Sequence, residues 1–169
     1  MRQLVFVCFL CCSLLSCTTA PEENTTDPIN WSKRIADTPL VDSLKSGGTY
    51  LSVYSQIYSM TELRTHNLTV TVSMRNTNQL DTVYLNKAEF YNTKGSLIRT
   101  YFDSPIFLTP METLHIVIDA TDNSGGTGAN FIFEWSVKPN TREPLFEAIM
   151  ISTLGQQGLS FSTQGQRIY

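Results

Sequence analysis

Apolar and polar residues alternate along several segments of this chain from residue 49 onward. Residues 68–75 read Leu-Thr-Val-Thr-Val-Ser-Met-Arg, so every second side chain is apolar. The same period of two recurs over residues 113–118 and 130–137, and it predicts β-strands with one buried face. Five more segments are rich in β-branched and aromatic residues, which brings the prediction to about eight strands: 49–58, 82–91, 96–102, 144–152 and 159–163.

The connections between these strands favour an antiparallel arrangement. Residues 92–95 read Asn-Thr-Lys-Gly, a short turn ending in the glycine that a bulged hairpin prefers. The domain carries no sustained apolar stripe at helical spacing, so the sequence lacks the crossover helices of a parallel sheet. Residues 106–110, Ile-Phe-Leu-Thr-Pro, resemble the Leu-X-Pro corner of immunoglobulin-like domains. We therefore predict an all-β, antiparallel, immunoglobulin-like β-sandwich and favour it over a closed barrel.

The N-terminus has the pattern of an export signal. One basic residue, Arg2, precedes an apolar and small run over residues 4–15, which as a helix would rise only about 18 Å, too short for a bilayer core. Residues 14–17 read Leu-Leu-Ser-Cys and resemble the lipobox of bacterial lipoproteins, in which a peptidase cuts before a diacylated cysteine. We expect a cleaved lipoprotein signal peptide and a lipidated, palmitate-bearing Cys17. The alternatives are an ordinary signal peptide with a chance cysteine, or an uncleaved anchor.

The segment after Cys17 has the composition of a tether. Thr, Pro, Asn, Glu, Asp and Ser dominate, and a Gly47-Gly48 pair closes the segment. Within it, residues 31–44 carry apolar side chains that could dock on the domain or form a helical turn. The sequence thus predicts a signal peptide over 1–16, a lipidated N-terminus and flexible tether over 17–48, and one β-sandwich domain over 49–169.

Charge and cysteine content narrow the chemistry. Without residues 1–16 the chain keeps eleven basic and fifteen acidic residues, a formal charge of −4, so we expect no nucleic-acid partner. All four cysteines lie at or before Cys17, which excludes disulfides, cysteine zinc ligands and a cysteine nucleophile from the domain. Thr18, rather than an aspartate, follows the cysteine, which resembles the pattern of enteric lipoproteins that pass to the outer membrane. We expect a lipid-anchored cell-envelope protein, in the outer rather than the inner membrane if the cell is Gram-negative.

Several short motifs of the domain occur together in one known family. They are Arg75-Asn76-Thr77, Asp-Ser-Pro at 103–105, Leu-Thr-Pro at 108–110, the glycine-rich run at 124–131, Glu134-Trp135, and Gln-Gly-Leu-Ser-Phe at 157–161. With them, the segment from residue 49 to the C-terminus resembles a family of uncharacterised bacterial envelope proteins, classed as a domain of unknown function. The resemblance implies one exported domain and brings no activity, substrate or catalytic residue.

The glycine-rich run is the best candidate for a functional surface, because binding residues concentrate on long loops. A calcium loop that includes Asp119 is one interpretation, but the spacing departs from the EF-hand pattern and a plain turn is favoured. The glycines could cradle a phosphate or sugar, but the loop leads into a strand rather than a helix, so positive φ or close backbone approach is favoured. The candidate binding loop comprises Asp122, Asn123, Ser124, Gly125, Gly126, Gly128 and Asn130.

A second candidate surface is aromatic. Tyr50, Tyr54 and Tyr58 would line one face of the first predicted strand. Amphipathic aromatic side chains on an exposed sheet suit the recognition of sugars or proteins. Packing beneath the tether, or against the core with the hydroxyl groups at its rim, is the structural alternative and is favoured.

No pattern in the sequence predicts catalysis. A hydrolytic carboxylate pair needs a defined separation, which sequence does not show, and no serine lies in a nucleophile elbow beside either histidine, His66 or His115. We expect a non-enzymatic binding or scaffolding module for an envelope protein partner, without cofactor or metal. A carbohydrate- or small-ligand-binding module is the alternative, and a hydrolase the weaker one. The acidic residues that a hydrolase would draw on are Glu134, Glu143, Glu147, Asp103 and Asp119.

Overall fold

The computed structural model describes residues 28–36, 43–153 and 158–169. The predicted signal peptide, Cys17 and the tether up to residue 27 lie outside these residues. No helix within them is long and apolar enough to cross a bilayer. The elements are a 3-10 helix, Trp31–Arg34, and twelve strands: β1 Lys45–Val53, β2 Gln56–Ser59, β3 Thr61–Asn67, β4 Thr69–Arg75, β5 Val83–Tyr91, β6 Leu97–Phe102, β7 Ile106–Leu108, β8 Thr113–Ile118, β9 Ala129–Val137, β10 Leu145–Ser152, β11 Leu159–Gln164 and β12 Gln166–Arg167.

Two antiparallel sheets pack face to face. The first sheet has the strand order β12-β1-β9-β5-β6, with β7 also paired to β5, and the second sheet has the order β11-β10-β4-β8. Strands β2 and β3 form a separate hairpin. The prediction of an all-β antiparallel sandwich is confirmed. The elements that sequence reasoning did not resolve are short, as β7 and β12 are, or polar on both faces, as β3 is.

The alternating residues form the core between the two sheets. Phe131 and Phe133 of β9 are fully buried, as are their apolar neighbours on the facing strands. Their ring centroids lie 5.3 Å apart, and Phe133 lies 4.3 Å from Phe146 of β10. Because β9 and β10 belong to different sheets, this aromatic stack crosses the sandwich and joins its two layers.

Strand β1 begins at Lys45, four residues before the predicted start of the domain. Gly47 and Gly48, which composition assigned to the end of the tether, therefore lie within this strand. A Cβ on Gly47 would lie 2.4 Å from Cζ2 of Trp135, and one on Gly48 would lie 2.3 Å from Cζ of Tyr169. Both positions require glycine because an aromatic ring packs directly on the strand there. The resulting Gly-Gly pair is the reason why the composition of this segment resembles that of a linker.

The segment before β1 packs on the domain and also forms a helical turn, Trp31–Arg34, so both outcomes predicted for residues 31–44 occur within the described residues 31–36. The ring centroid of Trp31 lies 5.2 Å from that of Phe102. The backbone N–H of Ala36 donates to the carbonyl of Pro105 at 2.9 Å. Ile29 packs against the core as well, so the folded unit already includes residues that the composition placed in the flexible tether.

Candidate functional site

One end of the sandwich brings the glycine-rich loop and the β2–β3 hairpin together, and we name it the hairpin end. The N–H of Gln56, at the start of β2, donates to the carbonyl of Gly126 at 3.1 Å, and the N–H of Gly126 donates to the carbonyl of Asn123 at 3.1 Å. The hydroxyl of Thr127 donates to that of Tyr58 at 3.4 Å. These hydrogen bonds hold hairpin and loop together as one composite surface.

The hairpin exposes three large side chains with apolar bodies. Tyr58 is 62% exposed, Met60 89% and Leu63 92%. Met60 lies in the turn with a positive φ of 64°, a conformation that costs free energy in a non-glycine residue. Sequence reasoning missed Met60 and Leu63, because strand β3 is exposed almost throughout and carries no alternation.

The glycines of the candidate binding loop have backbone roles. A Cβ on Gly125 would lie 2.7 Å from Cζ of Phe90, and the carbonyl of Gly125 accepts a hydrogen bond from the N–H of Thr93 at 3.1 Å. Gly126 has a φ of 72°. Close approach and positive φ are thus confirmed as the reason for these two residues. At Gly128, by contrast, a Cβ would meet its nearest neighbour at an ordinary 3.7 Å.

The carboxylates of the loop hold its turns. Asp122 accepts hydrogen bonds from the hydroxyl and N–H of Ser124 at 2.6 and 3.2 Å, and from Arg99 at 3.0 Å. The hydroxyl of Ser124 and the guanidinium of Arg99 hold the pKa of Asp122 below its ordinary value. Hydrogen bonds from Thr121 lower the pKa of Asp119 in the same way. The residues that the structure describes contain no cluster of three or more His, Cys, Asp or Glu suited to a metal ion.

The three predicted tyrosines do not share one strand, so the prediction that they line a single face is wrong. Tyr50 lies in β1, Tyr54 follows its end, and Tyr58 lies in the separate strand β2. The chain turns at Ser55, which is 1% exposed and whose carbonyl accepts a hydrogen bond from the N–H of Leu68, the residue before β4, at 2.9 Å. Tyr54 packs edge-on against Phe161 at a centroid distance of 5.8 Å, which is a structural role.

Tyr50 and Asn130 meet on the outer face of the first sheet. The hydroxyl of Tyr50 donates to Oδ1 of Asn130, and Tyr50 lies opposite Ile132 in the pairing of β1 with β9. Asn130 itself lies opposite Tyr91 of β5. The side-chain amide of Asn130 also donates to the carbonyl of Gly128 at 3.3 Å. Asn130 therefore lies on a partly exposed strand face with tyrosine and aliphatic groups and still contacts the candidate binding loop.

A charged ladder continues this outer face across β9 and β5. The ammonium of Lys87 lies 2.7 Å from a carboxylate oxygen of Glu134 and 3.4 Å from one of Glu89. The hydroxyl of Tyr91 donates to Glu89 at 2.7 Å. The contact with Glu134 raises the pKa of Lys87, and the contact with Glu89 raises the pKa of Tyr91. Both groups therefore keep their protons at neutral pH.

The glutamates considered for hydrolysis each have a basic partner, and both histidines, His66 and His115, are exposed. Such paired carboxylates on a sheet surface are typical of solvated strand faces. The pairs are Glu134 with Lys87 at 2.7 Å, Glu143 with Lys45 at 2.6 Å, and Glu147 with Arg75 at 3.0 Å.

Fold and surface together define a class: an antiparallel β-sandwich domain with a composite loop-and-hairpin surface at one end. The family described as "Protein of unknown function (DUF3124)" matches residues 46–168, and the chain belongs to this family, which confirms the expected class of uncharacterised domain. A solved structure described as "Crystal Structure of Thermotoga maritima 1070" is similar at 12% sequence identity and a TM-score of 0.47, covering 71% of this chain and 92% of that one. The curated proteins include no significant match.

Proposed function

We propose that this chain is a lipid-anchored cell-envelope protein, attached through Cys17, that binds a protein partner at its hairpin end and has no catalytic activity. The observation that carries the proposal is the exposure of Tyr58, Met60 and Leu63 on a hairpin that hydrogen bonds fix to the glycine-rich loop. Clustered large apolar side chains on the surface of a soluble domain mark interaction sites. Tyr and Met are also enriched at protein interfaces.

The direction of the pKa shifts supports a non-catalytic role. Catalytic acids and bases work best with a pKa near the operating pH. Here the pKa of Lys87 is raised and that of Asp122 is lowered, by the hydrogen bonds described above. Glu112 is partly buried, which opposes its ionisation, but hydrogen bonds from Thr109 and the contact with Arg34 outweigh this and lower its pKa. Each group is therefore held further from neutrality.

The first prediction concerns the lipid anchor at Cys17. Cys17→Ser is expected to abolish both acylation and cleavage after Ser16, because the thiol is the only group there that can form the thioether to the lipid. Mass spectrometry of the N-terminal peptide from cells measures both, and Cys12→Ser serves as the matched control that should process normally. An unmodified wild-type N-terminus, or cleavage of the Cys17→Ser variant at the same bond, would contradict the anchor. Fractionation of the envelope then tests the expected outer-membrane location.

The second prediction concerns partner binding at the hairpin end. Leu63→Glu is expected to weaken capture of a specific set of envelope proteins by about tenfold or more, since a desolvated charge in an interface costs at least about 1.4 kcal/mol. Val117→Glu is the matched control: Val117 is 59% exposed, against 92% for Leu63, and lies on β8, an edge strand of the second sheet. Both exposed substitutions should change stability by less than about 0.5 kcal/mol. The measurement is quantitative affinity capture from detergent-solubilised envelopes, and equal losses in both variants would exclude the hairpin as the contact.

A second candidate is carbohydrate binding on the outer face of the first sheet. The specific observation is the contact between the Tyr50 hydroxyl and the Asn130 amide, beside Ile132. An aromatic ring next to an amide suits the binding of a sugar, because the ring packs on its apolar face and the amide binds its hydroxyl groups. The same capture experiment separates the two candidates. A glycan on this face would make capture sensitive to Tyr50→Ala and to digestion of envelope glycans, and insensitive to Leu63→Glu.

A further inference from the structure

The end of the sandwich opposite the hairpin end is built from three interlocked connections, and we name it the tether end. It comprises residues 76–82, 109–112 and 138–144. The N–H of Met111 donates to the carbonyl of Asn78 at 3.0 Å, and the side-chain amide of Asn78 donates to the carbonyl of Arg142 at 2.9 Å. Lys138 lies 3.8 Å from Asp81. These contacts hold the three connections at fixed positions relative to one another.

Two large apolar side chains protrude from this fixed end. Leu80 is 90% exposed and Met111 is 65% exposed. Met111 has a positive φ of 60°. Each apolar tip is followed by an acidic residue that has a basic partner: Asp81 lies 3.8 Å from Lys138, and Glu112 lies 2.6 Å from Arg34. Apolar tips among paired charges suit the headgroup level of a bilayer, where the apolar groups enter the interface and the charged groups stay among the headgroups.

The polypeptide also reaches the domain at this end. Arg34 lies 2.6 Å from Glu112, the residue after Met111. Ile29 and Lys33 line a surface cleft together with Glu112. The first described residue, Pro28, directly precedes Ile29 and therefore enters the domain at this cleft, which Glu112 also lines. The side chains that protrude and the point where the tether arrives lie at the same end of the sandwich.

The length of the tether then limits how far this end can move from the lipid. Ten residues separate Cys17 from Pro28, and a chain of that length spans at most about 38 Å. The nine-residue strands β1 and β9 make the sandwich about 30 Å long. A short tether also gives the tether end a high effective concentration at the bilayer, so two apolar side chains suffice for docking.

We propose that the tether end rests on the bilayer that holds Cys17, with Leu80 and Met111 inserted at headgroup level and the hairpin end directed away from the membrane. The inference rests on the lipid anchor proposed above and adds an orientation to it. The partner surface is the headgroup region of a phospholipid bilayer. The domain therefore presents its hairpin and glycine-rich loop to the space beyond the membrane at a fixed height.

Depth-dependent fluorescence quenching tests this orientation. The mature, lipidated chain is reconstituted into vesicles of phosphatidylethanolamine and phosphatidylglycerol, with a bimane label on Leu80→Cys or, as the matched control, on Leu63→Cys. Cys17 is acylated, so the introduced thiol is the only one that reacts. Brominated lipids are expected to quench the label at position 80 at least about threefold more than the label at position 63, because the two ends differ by about 30 Å. Equal quenching would overturn the orientation.

A second label tests whether the apolar tips cause the docking. With bimane on Gln79→Cys, the added pair Leu80→Glu and Met111→Glu is expected to reduce quenching by brominated lipids at least about twofold, since charged side chains leave the interface. Unchanged quenching would remove these two residues from the contact. Vesicle flotation separates the two proposals: a chain that does not float refutes the anchor and the orientation with it, whereas a chain that floats with equal quenching at both ends refutes the orientation alone.

Discussion

Replacing Trp135 by alanine is expected to lower the free energy of unfolding by about 3–5 kcal/mol, the usual cost of deleting a large core ring. Trp135 is 1% exposed. Its indole N–H donates to the hydroxyl of Thr49 at 2.9 Å, and its ring fills the space above Gly47. The variant would leave a cavity between β9 and β1 together with an unsatisfied hydroxyl. Urea denaturation followed by circular dichroism measures the loss.

Trp135→Phe provides the control for this prediction. The smaller ring keeps most of the apolar contact and removes the indole N–H, so the expected cost is about 1–2 kcal/mol, the value of one buried hydrogen bond and a small volume change. A cost for the alanine variant below that of the phenylalanine variant would show that neighbouring residues close over the site. In that case β1 would not depend on this ring for its position.

The second large effect is expected at Asn76, which is 2% exposed. Its amide nitrogen donates to the carbonyls of Asp81, Leu108 and Thr109 at 2.7, 3.1 and 3.0 Å. Its amide oxygen accepts from the N–H and the side chain of Asn78, both at 2.9 Å. Asn76→Asp keeps the shape but turns an oxygen toward three carbonyls. We expect a loss of about 3–5 kcal/mol at neutral pH, because a buried charge loses its compensating partners.

The pH dependence identifies the cause. The carbonyl oxygens should raise the pKa of the new carboxyl in the folded state above the unfolded value of about 3.9. The penalty relative to wild type is then smallest below that value, where both states are protonated, and grows as the pH rises toward the folded pKa. Urea denaturation of both proteins across this range measures it. Asn123→Asp, at an exposed loop position, is the control and should cost less than about 0.5 kcal/mol; a penalty independent of pH would contradict the mechanism.

The Asn76 cluster explains one motif that the sequence offered without a role. Arg75-Asn76-Thr77 begins at the last residue of β4 and continues into the connection that follows. In the structure, Asn76 joins three connections at the tether end. Its partner Asn78 extends the hydrogen bonds to the carbonyl of Arg142. A buried amide with five hydrogen bonds is a structural element, since each unmade bond would cost free energy.

Prediction from the sequence succeeded where a local pattern carries the structure. The strand over 68–75 was predictable because each apolar residue of β4 faces the core. Gly125 and Gly126 were correctly assigned to backbone roles because glycine in a long loop has few other uses. The hairpin was not predicted because strand β3 is exposed along almost its whole length, so its sequence shows no alternation. The sequence grouped Tyr50 and Tyr58 on one strand face only because their positions differ by an even number. That inference is valid only when a single strand continues from the first residue to the second.

The sequence by itself determined the layered all-β architecture, because alternating burial is a property of each strand taken alone. The export signal and the lipidation of Cys17 are also expectations that come from the sequence alone. Tertiary structure decided which residues share a surface: that the hairpin joins the glycine-rich loop, that Asn130 connects Tyr50 to that loop, and that the segment before β1 docks beside Glu112. These are contacts between segments far apart in the chain, and no local period encodes the distance between them.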